Sequence, residues 1–198
     1  MSKPQLFCSL DLELEQPNTN PQTPDSQLSE SRIIQMGYVI FEVIEGGIKI
    51  HRERSIFIDI GVPLSTYIKK LTGITDEQIR GGMALLEAYN VLLRDLEELP
   101  FKRSIVQWGG GDIEFIRQEL DIYFPGTKWE FGQSGMNVKH MYQTWALANN
   151  AKWRGGLKKC LNVSGLMWDK SRGSSHDALA DAVNTARMYG FIQGKLRE

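Results

Sequence analysis

Cysteine is nearly missing from this chain: Cys8 and Cys160 are the two in 198 residues, and they form no CxxC pair. That excludes a zinc ribbon and a disulfide framework. Cys8 lies in an apolar run and reads as a buried thiol. Histidine is scarce too, with only His51, His140 and His176. No apolar run approaches the ~20 residues of a membrane span. The N-terminus has one early lysine, a short apolar patch and then acids, unlike a signal peptide. A cytoplasmic protein without membrane attachment is therefore expected. Positive charge is not in excess either, since 23 Lys+Arg face 24 Asp+Glu for a net charge of −1. That argues against tight, sequence-independent duplex binding. It leaves room for a site whose positive charge is supplied locally by metal ions. No internal repeat is present. The length suits one well-cored domain spanning 1–198.

What is there alternates between strand and helix signals. Gln5–Leu10 reads as a first strand. The stretch 15–31 carries three prolines and a single aliphatic residue, and predicts a flexible surface insert. Ile33–Ile44 and Ile48–Ile58 are rich in β-branched residues around Glu45-Gly46-Gly47, a hairpin signal. Leu64–Leu71 predicts a short helix stopped at Thr72-Gly73, and Asp76–Ile79 one more turn. Met83–Leu99 places Leu85, Leu86, Tyr89, Leu92, Leu93 and Leu96 at helical spacing, ended by Pro100. Ser104–Trp108 predicts a strand followed by three glycines. Ile113–Tyr123, Val138–Ala148, Leu157–Val163 and Asp177–Leu196 predict helices. Interleaved strands and helices give an α/β class with an antiparallel hairpin in the sheet.

Three short patterns carry chemistry. In Ser9-Leu10-Asp11-Leu12-Glu13 the strand ends in two carboxylates two residues apart, which share one face of an extended chain. Their repulsion is relieved by a divalent cation, and hard oxygen donors favour Mg²⁺ or Mn²⁺ over zinc. Taken alone, the pair equally describes surface acids. In Trp108-Gly109-Gly110-Gly111-Asp112 the glycines permit close backbone approach, and Asp112 alone would be an ordinary N-cap. In Ser175-His176-Asp177-Ala178-Leu179-Ala180-Asp181 the histidine and Asp181 are five apart, ~140° on a helix. The useful arrangement therefore puts His176 on the entry loop and Asp181 one turn inside. Ala178, Ala180 and Ala182 would let that helix lie close to a sheet. His51 and His140 read as surface residues.

In this order, D-x-E on a first strand, Asp opening a middle helix and H-x₄-D opening a last helix, the sequence resembles the DEDDh 3′–5′ exonucleases of the DnaQ-like, RNase H-like superfamily. Further segments agree. Arg32–Gly37 is similar to the family's second strand, although the family usually has Glu where Gln35 stands. Leu71-Thr72-Gly73-Ile74-Thr75, preceded by Pro63-Leu64-Ser65, is similar to its LTGIT segment. The run from Gly156-Leu157 to Gly165-Leu166 looks like its approach to the last motif. The form of these segments is most like the branch holding KapD-like proteins and the exonucleases of small-RNA and histone-mRNA decay. The likeness covers nearly the whole chain apart from the insert.

The resemblance implies an RNase H-like mixed five-stranded sheet flanked by helices. It implies two Mg²⁺ or Mn²⁺ ions held by Asp11, Glu13, Asp112 and Asp181, which clamp the attacking and leaving oxygens. His176 would be the general base. The expected partner is the 3′ end of single-stranded RNA or DNA, released as nucleoside 5′-monophosphates. The oligomeric state, monomer or homodimer, is open. Leu12, Leu14, Leu71, Thr72 and Trp108 are candidates to stack on or wedge the terminal bases. Arg154 and the Lys158-Lys159 pair are candidates for phosphate contact. Alternatives are a catalytically silent binding module on the same fold, a small phosphohydrolase, and a DNA proofreading-type exonuclease.

Overall fold

The computed structural model describes residues 5–99, 101–132 and 135–196, with the side chains of 101–104 left aside; Pro100 lies outside the described residues. Five strands form one mixed sheet: β1 (Leu6–Glu15), β2 (Arg32–Ile44), β3 (Gly47–Phe57), β4 (Phe101–Gln107) and β5 (Met136–Asn137). Their order is β3-β2-β1-β4-β5. The first three strands are antiparallel neighbours, whereas β1–β4 and β4–β5 are parallel. This is the expected RNase H-like arrangement, with the expected hairpin turning at Glu45-Gly46.

Helices cover both faces. Apolar residues of β1 alternate, so that Leu6, Cys8, Leu10 and Leu12 enter one core and Phe7 the other. The first core is closed by α3 (Leu85–Glu97) and α4 (Asp112–Tyr123). The second is closed by α5 (Val138–Ala148), α6 (Leu157–Val163) and α7 (Ala178–Lys195). Two short helices, α1 (Thr66–Thr72) and α2 (Asp76–Arg80), close a third, smaller cluster on Ile34 and Ile60. α1 starts at a Ser65 cap and ends on left-handed Gly73, as its flanking residues dictate.

Two boundaries differ from the sequence reading in ways that matter. β1 does not stop at Leu10 but runs on to Glu15. Pairing with β4 ends at Ser9↔Val106, while pairing with β2 continues past Glu13↔Gln35. Asp11 and Glu13 thus stand on a strand still held on one side and released on the other. Glu15, assigned to the insert by its polarity, is buried on β1 and accepts from the Ser65 amide at 3.0 Å. Residues 16–31 carry turns without helix or strand, and Asp25 ties them to α1 through the Thr66 amide and hydroxyl at 2.9 and 2.6 Å. β5 has no counterpart in the sequence reading: two residues are too few for a periodic signal.

α7 lies almost on the sheet. Ala178, Ala180 and Ala182 are fully buried, as their size suggests. The sheet contributes its own gap at Gly37. A Cβ there would fall 2.1 Å from the Ala178 carbonyl carbon, so only glycine permits this approach. Gly37 is the register partner of Asp11, so the same gap brings the start of α7 onto the acidic stretch of β1. Gln35 completes the joint: its Oε1 accepts from the Ala178 amide at 3.1 Å and its Nε2 donates to Ser55 at 3.0 Å.

Candidate active site

Asp11 and Glu13 project from β1 towards α7, one residue in two, opposite the face that buries Leu10 and Leu12. Asp181 meets them from the first turn of α7. One carboxylate oxygen from each of Asp11, Glu13 and Asp181 can be chosen so that all lie within 4.8 Å of one another. Asp112 approaches from the start of α4. Its charge, after burial, is the leading influence on Asp11. The N-cap of α4 is Gly111 and Asp112 is the first helical residue, so the reading of this aspartate as the N-cap does not apply. The preceding glycines serve conformation more than close approach. Gly109 and Gly111 sit at φ +92° and +120°, and a Cβ on Gly109 would meet nothing within 4 Å.

Like charges and burial act together here. Asp11 is held well above the ordinary carboxyl range, first by burial and then by Asp112, Asp181, Glu13 and Asp177. Burial and the charges of Asp181, Asp177 and Asp112 push Glu13 up to about 8. Burial lifts Asp112 to about 7, with Glu114 adding to it. Asp181 rises to about 6 through burial, less because it accepts the His176 amide. Among the described residues, no lysine or arginine forms an ion pair with this group. Glu114, two residues beyond Asp112, also keeps a buried carboxylate oxygen without a partner.

His176 stands on the entry loop, as its spacing from Asp181 requires. Its backbone is left-handed, at φ 67°, and its amide donates to Asp181 Oδ2 at 2.7 Å. A non-glycine residue in that region costs about 1–3 kcal/mol and is retained where its surroundings over-determine it. The loop is over-determined. Arg172 binds Glu53 on β3 at 3.0 Å. The Asp169 amide donates to Asn184 of α7 at 2.9 Å, and Asn184 returns a bond to the Asp169 carbonyl at 3.1 Å.

A cleft of about 680 Å³ opens over the acids. Asp11, Leu12, Glu13, Trp108, His176 and Asp181 line it together with Lys158 and Lys159. Of the five candidate base contacts, Leu12 and Trp108 are therefore at the cleft, although Leu12 is also packed into the first core. Leu14, Leu71 and Thr72 do not line it. Leu14 joins the first core by strand alternation, Leu71 packs on the third cluster, and the Thr72 hydroxyl bonds Ile68 within its own helix. Sequence reasoning missed Asp177, Asn162 and Trp168. Asp177 had a signal: it directly precedes the helix and caps it through Leu179 and Ala180. Asn162 and Trp168, which line the cleft, had none.

The all-oxygen donor set fits a hard divalent cation. Three carboxylates converge, and the surroundings resist their simultaneous ionisation. Asp11, Glu13 and Asp181 would hold it, with Asp112 beside Asp11.

No protein-family model and no curated protein sequence matches this chain. Solved structures do match in shape. The nuclease domain of 3′hExo, described as a DEDDh family member bound to rAMP, is 20% identical with a TM-score of 0.75, over 98% of this chain and 94% of that one. Cell-death related nuclease 4 (CRN-4) is 17% identical with a TM-score of 0.78, over 98% of this chain and 66% of that one. E. coli exonuclease I in complex with a dA16 oligonucleotide is 18% identical with a TM-score of 0.63, over 96% of this chain and 41% of that one. The five-stranded mixed sheet flanked by helices is the fold this chain shares with these nucleases.

Proposed function

We propose that this chain is a metal-dependent 3′–5′ exonuclease of the DEDDh type, acting on the end of a single strand. The observation that carries this reading is the convergence of Asp11, Glu13 and Asp181 within 4.8 Å, with His176 on the rim of the same cleft. β1 carries Asp11 and Glu13, the entry loop and first turn of α7 carry His176 and Asp181, and the close approach at Gly37 holds the two segments together. The fold shared with 3′hExo, CRN-4 and exonuclease I supports it independently.

Asp11, Glu13, Asp112 and Asp181 would bind two Mg²⁺ or Mn²⁺ ions, which supply electrostatic stabilisation of both oxygens in an in-line displacement. The chain's own residues do the rest. His176 takes a proton from water at the mouth of the cleft. The water oxygen bonds to the last phosphodiester phosphorus as the bond to the 3′ oxygen breaks, and that oxygen takes a proton from solvent while His176 returns its own to solvent. The product is a nucleoside 5′-monophosphate and a strand shorter by one. The bond from the His176 amide to Asp181 fixes the backbone that carries the imidazole at the cleft. Trp108 and Leu12 offer apolar surface to the terminal base.

Labelled single-stranded RNA and DNA, incubated with Mg²⁺, Mn²⁺ or EDTA, test the reading. Stepwise shortening from the 3′ end that EDTA stops is expected. Internal cuts alone, or degradation in EDTA, would overturn it. His176→Ala should lower kcat by ~10²-fold or more, the scale of a general base. Retention of full activity would assign the proton to another group.

A further inference from the structure

The stretch 131–168 contains no Asp or Glu, in a chain that holds 24 of them. It does contain Lys139, Lys152, Arg154, Lys158 and Lys159. A protein with net charge −1 has therefore gathered bare positive charge on one segment, the one that forms α5, α6 and their connection. Among the described residues, Lys152, Arg154, Lys158 and Lys159 make no ion pair.

The fold brings this segment to the rim of the acidic cleft. A second hollow of about 430 Å³ is lined by Asn150, Ala151, Lys152, Trp153, Arg154 and Lys159. Lys159 lines the acidic cleft as well, so one side chain is the wall common to both. Gly155 makes that possible: a Cβ there would lie 2.8 Å from the Lys159 side chain, and the segment closes directly onto the lysine stem. The hollow is built on fixed backbone. The Tyr142 hydroxyl donates to the Lys152 carbonyl at 2.6 Å, and the Ala151 amide donates to the Ala146 carbonyl at 2.8 Å. Trp153 rests one side on the second core, half-buried, with the Arg154 guanidinium over its ring at 4.6 Å.

We infer that the hollow at Trp153 and Arg154, joined to the acidic cleft through Lys159, is a subsite for the nucleotides on the 5′ side of the scissile end of a single strand. The inference rests on the functional reading above for what occupies the cleft. Its chemistry is that of single-strand binding in general. The Arg154 guanidinium plane, backed by the half-buried Trp153 ring, offers a stacking platform to any base, and Lys152 and Lys159 beside it meet the phosphates. A duplex would present no free base faces. The segregated charge explains how a chain with no net positive charge can still attract a polyanion along one path.

The test compares a dinucleotide, too short to occupy both the cleft and the hollow on this proposal, with an octanucleotide. For Trp153→Ala, the ratio of kcat/KM for octanucleotide over dinucleotide should fall about tenfold, the effect of losing one base stack. Trp153→Phe should restore most of it. A merely structural role for Trp153 would lower both substrates together and leave the ratio unmoved, which overturns the proposal. Lys152→Gln with Arg154→Gln leaves the packed ring in place and covers the case in which Trp153→Ala fails to fold. This pair should reduce the slope of log affinity against log salt by about 0.7 for each phosphate that is no longer neutralised. An unchanged slope also overturns the subsite. Affinity is read from the anisotropy of a labelled octanucleotide in EDTA, without catalysis. If wild-type protein cleaves nothing yet the variants weaken this binding, the exonuclease reading fails and the subsite stands. If cleavage is normal and the variants change neither ratio nor slope, the subsite alone fails.

Discussion

Two groups of buried carboxylates lie on opposite faces of the same strands and are resolved in opposite ways. On the α3 face Asp95 is almost fully buried, yet it receives Arg54 Nε at 2.8 Å, Arg52 at 2.6 Å and the Tyr38 hydroxyl at 2.8 Å. Burial pushes its pKa up, the hydrogen bonds from Arg54, Tyr38 and Arg52 push it down, and the bonds win. Towards α7, Asp11, Glu13, Asp181 and, from the start of α4, Asp112 are pushed up first by burial and then by nearby acids, Asp11 and Glu13 by Asp112, Asp181 and Asp177, Asp112 by Glu114, and Asp181 by Asp177. Tyr38 and Gly37 are consecutive residues of β2, one serving each group. A buried acid that brings its own cations is a structural joint. Acids gathered without any are prepared for a cation from outside.

The sharpest way to break the contrast is to neutralise one acid in each group. Asp11→Asn should lose nearly all exonuclease activity, yet the metal-free protein should become more stable to denaturant, because the fold no longer has to hold a proton on a carboxyl that the unfolded chain would ionise. Loss of stability would mean that Asp11 is a joint like Asp95. Gly37→Ala attacks the same face through packing. Its methyl would meet Ala178 backbone that cannot yield, so a cost of about 3 kcal/mol is expected, at the top of the overpacking range. Activity should fall ~10²-fold with it, as α7 carries Asp181 away. A variant with wild-type kcat would show that the site does not depend on this approach. Asp95→Ala should cost about 3 kcal/mol, the low end for breaking a buried pair, since Arg52 and Arg54 stay partly in water. Denaturation curves read the cost; activity per folded molecule should be unchanged.

A smaller effect separates the two groups by pH. In the metal-free fold Glu13, Asp112 and Asp181, with pKa values of about 8, 7 and 6, keep protons that an unfolded chain releases near pH ~4. The stability those protons contribute is complete below pH ~4 and is lost as pH rises through 6 to 8. Asp95, held low, contributes stability above pH ~4 that acid removes. The Tm of metal-free protein should therefore decline between pH 5 and 8, and Mn²⁺ added at pH 8 should restore it. A Tm that climbs steadily over that range would contradict the pKa order of the acidic group.

The site's members are legible in the sequence because each motif is local. D-x-E shows its shared face through strand alternation, and H-x₄-D shows through helical pitch that its two side chains cannot share one. The insert's boundary is not legible, because polarity and extension are independent: Leu10, Leu12 and Leu14 continue the alternation while the two residues between them are acids. The contacts of Gln35 are another feature that no spacing could reveal. Its amide donates to Ser55 on β3 and accepts from the Ala178 amide of α7, which ties the sheet to the last helix.

The sequence by itself thus determined the order of every element but β5, the two-sided sheet and the identity of the catalytic candidates, since these follow from periodicity and residue chemistry along the chain. Only the tertiary structure decided that β4 releases β1 after Ser9, that Gly37 admits α7 beside Asp11, and that Leu14, Leu71 and Thr72 sit away from the cleft. Those outcomes depend on which surfaces from distant segments meet, and on how closely their backbones can approach.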